Sequence, residues 1–170
     1  MIFIKDNFFS DLNEIKKILQ KIPVYSDKDW ERKTNKKIHW QGNRSDDFGI
    51  FHKDVYEIIK NNIEATFEKK FKINWMCLHE RKDERMNPHQ DTDGHDTNCL
   101  IYISGLEGVQ NGTGFYNNNE LSVSVGFVEN RAILFPSNHL HSCLQAIYPD
   151  NSSSRVTINC FMEEQNNANI

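Results

Sequence analysis

The chain has 170 residues, and its 38% hydrophobic and 11% aromatic content is enough to build one domain with a buried core. A formal net charge of −4 with no long basic run argues against nucleic-acid binding as the main role, because phosphate backbones attract cationic surfaces. No apolar run approaches the roughly 20 residues that cross a bilayer, and the first residues lack the pattern of a signal peptide, so we expect a cytoplasmic protein with no membrane partner.

The first 70 residues or so are predicted to be largely helical. Apolar side chains recur at helical spacing over residues 12–22, where Ser10 is the expected N-cap and Pro23 ends the pattern. The same spacing predicts a second helix over residues 55–67.

The segment between these helices, residues 24–52, is polar and shows neither helical nor strand periodicity. A long irregular segment of this kind is a candidate lid or binding groove, although its tryptophans are also compatible with core packing. The candidate residues of this groove are Trp30, Trp40, Gln41 and Arg44, together with Glu80, Arg81 and Arg85.

From residue 71 onward the pattern changes to short β-rich segments separated by turn residues. These segments are FKINWMCL, NCLIYISGL, LSVSVGFV, RAILFPS and RVTINCFM. Helices followed by many short strands predict an α+β fold that is mainly β, a sandwich or jelly roll with the helices packed on one sheet. Since no internal repeat divides the chain, we expect a single domain over residues 1–170, with a helical part over about 1–70 and a β core over about 71–165.

The four cysteines are not arranged in CxxC pairs, and three of them lie inside strand-like apolar segments. Buried, reduced thiols are therefore expected, rather than disulfides or a zinc site. The residues are Cys77, Cys99, Cys143 and Cys160.

Metal-binding side chains are concentrated in the segment NPHQDTDGHD, residues 87–96. Aligned as an EF-hand through Gly94, the segment has His89 at the first ligand position and Leu100 at the twelfth, where calcium requires carboxylates. The scattered cysteines argue against structural zinc, whereas ligand type alone leaves catalytic zinc open.

His89 and Asp91 form an HxD pair, and on an extended segment residues two apart project to the same face. A second histidine from another strand would complete the set of two histidines and one carboxylate found in non-haem Fe(II) oxygenases. The segment FPSNHLHSC offers His139 and His141 for that position. Surface HxD pairs are common, so this pair alone does not show a metal site.

The last predicted strand has a polar face formed by Arg155, Thr157 and Asn159. A polar face in a buried sheet is expected where it lines a cavity, and the guanidinium fork matches a carboxylate in two hydrogen bonds. A surface ion pair of Arg155 is the alternative.

The order of these motifs resembles the Fe(II)/2-oxoglutarate-dependent dioxygenases, in particular the prolyl-4-hydroxylase-like branch. The likeness covers about residues 73–162. It consists of the HxD pair His89-Gln90-Asp91, a strand with Tyr102-Ile103-Ser104, the turn-like Gly112-Thr113-Gly114-Phe115, Phe135-Pro136-Ser137 followed by His141, and Arg155 with Thr157.

The resemblance implies a double-stranded β-helix in which His89, Asp91 and His141 ligate Fe(II). His141 is preferred to His139 because the family's ligand lies six residues after the phenylalanine of FPS. Arg155 would bind the distal carboxylate of 2-oxoglutarate with help from Thr157. The remaining cosubstrate contacts implied are Tyr102 and His79.

Three features depart from the family pattern. His79 stands where many relatives have a tyrosine that bonds the cosubstrate, and Asn111 stands where the glycine pair of the turn would begin. The interval between His141 and Arg155 is longer than usual and contains YPDNSSS, for which we expect a loop. Asp93, His95 and Asp96 follow the HxD pair, where they would either orient the ligands or form a solvated loop.

By this resemblance the protein is expected to hydroxylate a C–H bond with Fe(II), 2-oxoglutarate and O₂, releasing succinate and CO₂, with ascorbate as a supporting reductant. The substrate would be a peptidyl proline or another amino-acid residue of a protein, or a small molecule. Two other functions stay open: a metal-binding, cupin-like module that recognises a ligand without turnover, and a zinc hydrolase.

Overall fold

The computed structural model describes residues 1–36, 42–82, 87–144 and 154–165. The helices of these residues are α1 (Leu12–Leu19), α2 (Asp27–Thr34), α3 (Phe48–Phe51) and α4 (Lys53–Phe67). The strands are β1 (Phe3–Lys5), β2 (Asn43–Arg44), β3 (Lys70–Arg81), β4 (Thr97–Ser104), β5 (Gly108–Asn117), β6 (Glu120–Phe127), β7 (Ala132–Pro136), β8 (His141–Cys143) and β9 (Arg155–Gln165).

The strands form two antiparallel sheets. The larger sheet has six strands in the order β1-β7-β4-β9-β3-β2, and the smaller has three in the order β6-β5-β8. Successive strands such as β7 and β8 lie in different sheets, so the chain crosses repeatedly between the two layers. The predicted fold class is confirmed: it is mainly β with helices, and the architecture is a double-stranded β-helix.

Each face of the larger sheet has a different environment because neighbouring strand residues point to opposite sides. Ile158, Cys160 and Met162 of β9 belong to the core that also contains Ile15 of α1 and Ile59 of α4. The other face meets the smaller sheet through a second cluster, formed by Tyr102, Phe115, Val125, Phe127, Ile133 and Phe135. The helices therefore cover one face of the larger sheet, as predicted, and the opposite face is left for the space between the sheets.

The helical region differs in detail from the prediction. Asp11, not Ser10, caps α1 by accepting a hydrogen bond from the Glu14 amide, and the helix ends at Leu19, although Ile22 is still buried. The segment predicted as irregular contains α2, α3 and β2. The sequence pattern did not predict α2, because this helix buries only one side chain, that of Trp30, and therefore has almost no apolar periodicity.

The glycines predicted to form a turn lie instead within strand β5. At Gly112 a Cβ atom would meet the Val125 carbonyl oxygen at 1.9 Å, so a side chain cannot fit where β5 passes the backbone of β6. Glycine here permits close approach of two strands at a register shift between Gly108 and Thr113. Strands β1, β2 and β8 were also not predicted, since each has at most three residues.

Two expectations about the whole chain can be compared with the structure. All four cysteines are free and buried, which confirms the predicted thiols. Among the described residues, none of the helices combines the length and the apolar character needed to span a bilayer.

Candidate metal centre

His89, Asp91 and His141 are brought together by backbone hydrogen bonds between two distant segments. The His89 amide donates to the His141 carbonyl and the His141 amide to the His89 carbonyl, both at 2.9 Å. Two residues later the Asp91 amide donates to the Ser137 carbonyl, also at 2.9 Å. Strand β8 places His141 opposite Phe115 of β5, so the smaller sheet fixes one histidine and this short bridge fixes the other two side chains beside it.

The side chains of these three residues converge. Asp91 Oδ2 lies 3.3 Å from His141 Nε2, and Asp91 Oδ1 lies 3.7 Å from His89 Nε2. All three ligand atoms lie within 4.8 Å of one another, and no further His, Cys, Asp or Glu of the described residues joins them. An ion bound about 2.1 Å from each of three donors in a facial arrangement needs donors roughly 3 Å apart, which small side-chain rotations would reach here.

Both histidines are held with the Nε2 atom available as a ligand. The Nδ1 atom of His89 lies 3.1 Å from the Asn87 carbonyl oxygen, and that of His141 lies 2.9 Å from the His139 carbonyl oxygen. A carbonyl only accepts hydrogen bonds, so each Nδ1 carries a proton, and in the neutral ring Nε2 then has the lone pair that binds a metal. His139 contributes its carbonyl, while its ring lies against Phe115 with centroids 5.3 Å apart.

The charges of the cluster suit a cation. Burial and the neighbouring His141 lower the pKa of His89, which favours the neutral ring that a metal requires. Burial opposes ionisation of Asp91, but the hydrogen bond and charge of His141, with a further contribution from His89, outweigh it and lower the pKa of this carboxyl. At neutral pH the site therefore presents the neutral His89 imidazole and the Asp91 carboxylate.

Asn98, at the start of β4, supports the carboxylate. Its Nδ2 donates to Asp91 Oδ2 at 2.9 Å, and the residue is only 3% exposed. The sequence signal for this role is the position of Asn98, a polar residue at the beginning of a largely apolar strand. Groups that hold a ligating carboxylate in this way orient it toward the ion.

The metal-binding cluster lines a cavity between the two sheets. The lining includes His89, Asp91 and His141, and also Arg44, Arg81, Thr113 and Arg155 from β2, β3, β5 and β9. The structure therefore brings Arg155 into the same cavity as the three proposed ligands.

Arg155 is 3% exposed and is held from below by two aromatic rings. Its guanidinium carbon lies 5.2 Å from the Tyr102 ring centroid and 5.9 Å from that of Phe127, and those rings stack on each other. Its Nη2 donates to Thr113 Oγ1 at 3.2 Å, and the Tyr102 hydroxyl lies 2.7 Å from the same oxygen. Tyr102 and Thr113 thus fix the direction of the guanidinium, and the role of Thr113 was not foreseen.

Two further predicted cosubstrate contacts, Thr157 and His79, are not among the residues that line the described cavity. Thr157 is buried, and its hydroxyl donates to Asn159 Oδ1 at 2.8 Å. His79 is also buried, and its Nε2 accepts a hydrogen bond from Arg81 Nε at 3.1 Å. Direct contact of Thr157, His79 or Tyr102 with a cosubstrate stays a prediction.

The residues predicted to form a groove lie in different parts of the structure. Trp30 is core, with its ring 6.4 Å from that of Trp75, whereas Arg44 and Arg81 line the cavity. Glu80 binds Ser154 and Asn43. Trp40, Gln41 and Arg85, like most of the predicted YPDNSSS loop, lie outside the described residues.

Asp93, His95 and Asp96, which follow the HxD pair, make contacts within the protein. Asp96 accepts hydrogen bonds from the Thr97 hydroxyl and the Glu164 amide. His95 packs against Phe161, with ring centroids 5.0 Å apart, and Asp93 offers its carbonyl to the His95 ring. These contacts tie the segment to the end of β9.

No protein-family model matches the chain, and no curated protein matches it in sequence. Solved structures of similar fold include HygX from Streptomyces hygroscopicus with nickel, 2-oxoglutarate and hygromycin B bound, at a TM-score of 0.70 and 10% identity, covering 95% of this chain and 82% of that one. A prolyl hydroxylase from Trichoplax adhaerens, in complex with a hypoxia inducible factor peptide fragment, has a TM-score of 0.69 and 14% identity over 96% and 83%. The viral collagen prolyl hydroxylase of Paramecium Bursaria Chlorella virus-1 has a TM-score of 0.66 and 11% identity over 95% and 94%.

The chain has the fold of the 2-oxoglutarate-Fe(II) oxygenases. The resemblance inferred from the motifs is confirmed at this level, with prolyl hydroxylases among the neighbours. At identities of 10–14% the likeness concerns the fold, and the chemistry has to be argued from this chain's own residues.

These residues fit Fe(II). Two imidazole nitrogens and one carboxylate are the donor set of non-haem iron oxygenases, and this set leaves coordination positions for other ligands. The protonation of both Nδ1 atoms and the anchoring of Asp91 by Asn98 present the three donors to a common point.

Proposed function

We propose that the protein is an Fe(II)- and 2-oxoglutarate-dependent dioxygenase that hydroxylates a C–H bond of its substrate. The observation that carries this proposal is a cavity lined both by the cluster of His89, Asp91 and His141 and by the buried residue Arg155. The fold shared with HygX, whose solved structures have nickel and 2-oxoglutarate bound, supports it.

In this proposal the metal-binding cluster and Arg155 bind different ligands. His89, Asp91 and His141 hold Fe(II), and Asn98 keeps the carboxylate aimed at the ion. Arg155 binds the distal carboxylate of 2-oxoglutarate in two hydrogen bonds, with its direction set by Thr113 and the Tyr102 ring. Bound iron with 2-oxoglutarate supplies the oxidising chemistry, in which O₂ is consumed and succinate and CO₂ are released.

The protein's part in the reaction is to position the substrate and limit water. Phe135 and Leu100 are apolar parts of the cavity lining and reduce its hydration. Beside the metal-binding cluster, Gln90 and His139 border an open surface depression with Tyr116 and several asparagines, where a polar substrate could lie. A peptidyl proline or another residue of a peptide is the substrate we propose first, with a small polar molecule as the alternative.

Formation of succinate tests the proposal. Protein loaded with Fe(II), 2-oxoglutarate and ascorbate, then exposed to O₂ with a panel of proline-containing peptides and small polar compounds, should form succinate. The Asp91→Ala variant should form none, whereas Asp93→Ala, an exposed neighbour, should retain the activity. Absence of O₂-dependent succinate from the wild-type protein, even without a matching substrate, would contradict the proposal.

The same samples distinguish the other two functions. A cupin-like binding module would bind metal and ligand without producing succinate. A zinc hydrolase would act without O₂ and 2-oxoglutarate. The position of Arg155 in the cavity favours the oxygenase, because its guanidinium can bind the carboxylate of a 2-oxoacid in two hydrogen bonds, which neither alternative function requires.

A further inference from the structure

The surface depression beside the metal-binding cluster is lined by uncharged polar groups. No Lys, Arg, Asp or Glu of the described residues belongs to its lining, which instead contains five carboxamide side chains, those of Gln90, Asn117, Asn118, Asn119 and Asn138. Its volume of about 570 Å³ lies within the range of roughly 300–1,000 Å³ that is usual for ligand sites. Since a carboxamide both donates and accepts hydrogen bonds, the depression matches an uncharged ligand that offers both kinds of group.

The backbone defines the two turns that carry these carboxamides. Strands β5 and β6 are joined through Asn118 and Asn119, whose φ angles are 50° and 65°, between the paired residues Asn117 and Glu120. Two left-handed residues in a two-residue loop form the turn whose twist matches that of the flanking strands. In the other turn, Gln90 Nε2 donates to the Asn138 carbonyl.

Strand β6, which borders the depression through Ser122 and Val123, has an open edge. It is the outer strand of the smaller sheet, and in the described part of the chain β5 is its one strand partner. Leu121 and Val123 are 52% and 44% exposed, and residues 121–124 include neither a charged residue nor a proline. Edge strands of this length are usually protected by such residues, so this edge is suited to pair with another extended chain.

The open edge lies within reach of the metal-binding cluster. Val123 is directly opposite Phe115, and Phe115 is directly opposite His141, so the three residues form one row across the smaller sheet. With strands about 4.8 Å apart, a chain paired with β6 would lie roughly 14 Å from the backbone of His141. An extended peptide covers this distance with about four or five residues.

We propose that β6 and the depression bind an uncharged segment of a peptide substrate, which pairs with the open edge as an added strand. The residue to be oxidised then lies about four or five positions away along the peptide, at the metal-binding cluster. This inference rests on the proposed function and specifies how its peptide substrate binds. A glycan also offers uncharged hydrogen-bonding groups, but the alternating N–H and C=O groups of a strand edge match a peptide backbone.

Binding of labelled peptides to protein loaded with Ni(II) and 2-oxoglutarate, measured by fluorescence anisotropy, tests strand pairing. Two probe peptides contain a proline, a spacer of four glycines and a segment of six serine, asparagine and glutamine residues, placed before the proline in one and after it in the other. Every second amide of the segment in the tighter-binding peptide is then N-methylated. Because alternate amides face β6, one of the two alternating sets should weaken binding at least about 10-fold and the other less than about twofold.

A change of charge in the depression tests its specificity. Replacing two of the six polar residues of the peptide by lysine or by glutamate should weaken binding to wild type about threefold or more. The double variant Asn117→Asp with Asn138→Asp should bind the lysine peptide about three- to tenfold more tightly than wild type does, and the glutamate peptide less tightly. Asn61→Asp, an exposed change on α4, should leave all these affinities as they are in wild type.

Equal effects of the two N-methylated sets, or affinities for the charged peptides that the double variant leaves unchanged, would overturn the inference. Competition by the neutral oligosaccharide maltoheptaose would assign the depression to a glycan and would also overturn it. Failure of the proposed function is distinguishable: peptides that bind as described without any O₂-dependent succinate would contradict the oxygenase and support the docking site.

Discussion

At the scale of single residues, the candidate site depends on hydrogen bonds that fix three ligand atoms before any ion binds. The Nδ1 atoms of both histidines and one oxygen of Asp91 are already committed to protein groups. Pre-orientation of this kind lowers the entropy that binding has to overcome. Two predictions follow from individual contacts.

Loss of the Asn98 amide should weaken metal binding. Asn98→Ala removes the donor 2.9 Å from Asp91 Oδ2, so we expect the affinity for Co(II) or Mn(II) to fall about 10- to 100-fold, measured by competition with a chelator. Asn62→Ala on α4, whose amide bonds only the Ile58 carbonyl in the same helix, is the matched control. An affinity of Asn98→Ala within about twofold of wild type would show that Asp91 needs no such support.

Alanine variants of His141 in β8 and of His139 in the preceding turn should differ in metal binding. His141→Ala removes a proposed ligand and should abolish stoichiometric metal binding in equilibrium dialysis. His139→Ala removes a ring but keeps the carbonyl that holds His141 Nδ1, so metal binding should persist. Loss of metal in the His139 variant with retention in the His141 variant would reverse the assignment.

At the scale of secondary-structure elements, the sequence predicted those with a clear hydrophobic period. Helix α4 and strands β4, β6, β7 and β9 were expected within a few residues of where they lie. Strand β5 was mistaken for a turn because its glycines serve strand contact, a tertiary reason that local pattern does not carry.

Only part of the candidate site could be predicted from the sequence patterns of single elements. The HxD spacing and the distal histidine could be recognised because alternate residues share a strand face. Asn98 and Thr113 could not be assigned a role, since their contacts with Asp91 and Arg155 depend on the register between β4, β5 and β9. Register is a property of paired strands, and a single segment does not specify it.

The junction between α4 and β3 supports a prediction about pH. Glu64 is buried, and its carboxylate accepts hydrogen bonds from the Phe71 amide at 3.1 Å and Lys70 Nζ at 2.7 Å. Burial alone would raise the pKa of Glu64, but the bonds from Lys70 and Phe71, with a contribution from Lys60, lower it below the ordinary 4.5. A lowered pKa means that the ionised form stabilises the folded state above pH 4.5 and that this contribution is lost as the pH falls through the folded-state value.

We therefore expect Glu64→Gln to lower the free energy of unfolding by about 1–2 kcal/mol at pH 7, because the neutral amide makes weaker bonds than the carboxylate. The difference from wild type should shrink below pH 4.5 in urea denaturation experiments. Glu57→Gln, an exposed change on the same helix, should have little effect. A deficit that is equally large in acid would show that it does not arise from the charge of Glu64.

At the scale of the whole molecule, the stabilising core and the candidate site lie on opposite faces of the larger sheet. The core between the helices and the larger sheet stabilises the chain, and the space between the two sheets holds the polar residues. This division was predicted in outline from the polar and apolar faces of β9. The arrangement of strands in the two sheets was supplied by the structure.

The burial of all four thiols offers a test of the whole fold. Burial raises the pKa of Cys77, Cys99 and Cys160, and both exclusion from solvent and a protonated thiol slow reaction with a disulfide reagent. We expect native protein to react with such a reagent only at the rate of unfolding and denatured protein to show four thiols. Rapid reaction of several thiols in the native state would mean that they are not buried as described.

The most direct test of the central claim is the visible charge-transfer absorption of anaerobic protein mixed with Fe(II) and 2-oxoglutarate. If His89, Asp91 and His141 hold iron while leaving adjacent positions for the 2-oxoacid, wild type should develop a weak visible band that saturates at one iron and one 2-oxoglutarate per chain. The Asp91→Ala variant should develop none. Wild-type protein that shows no band, or a band that survives loss of Asp91, would contradict the account.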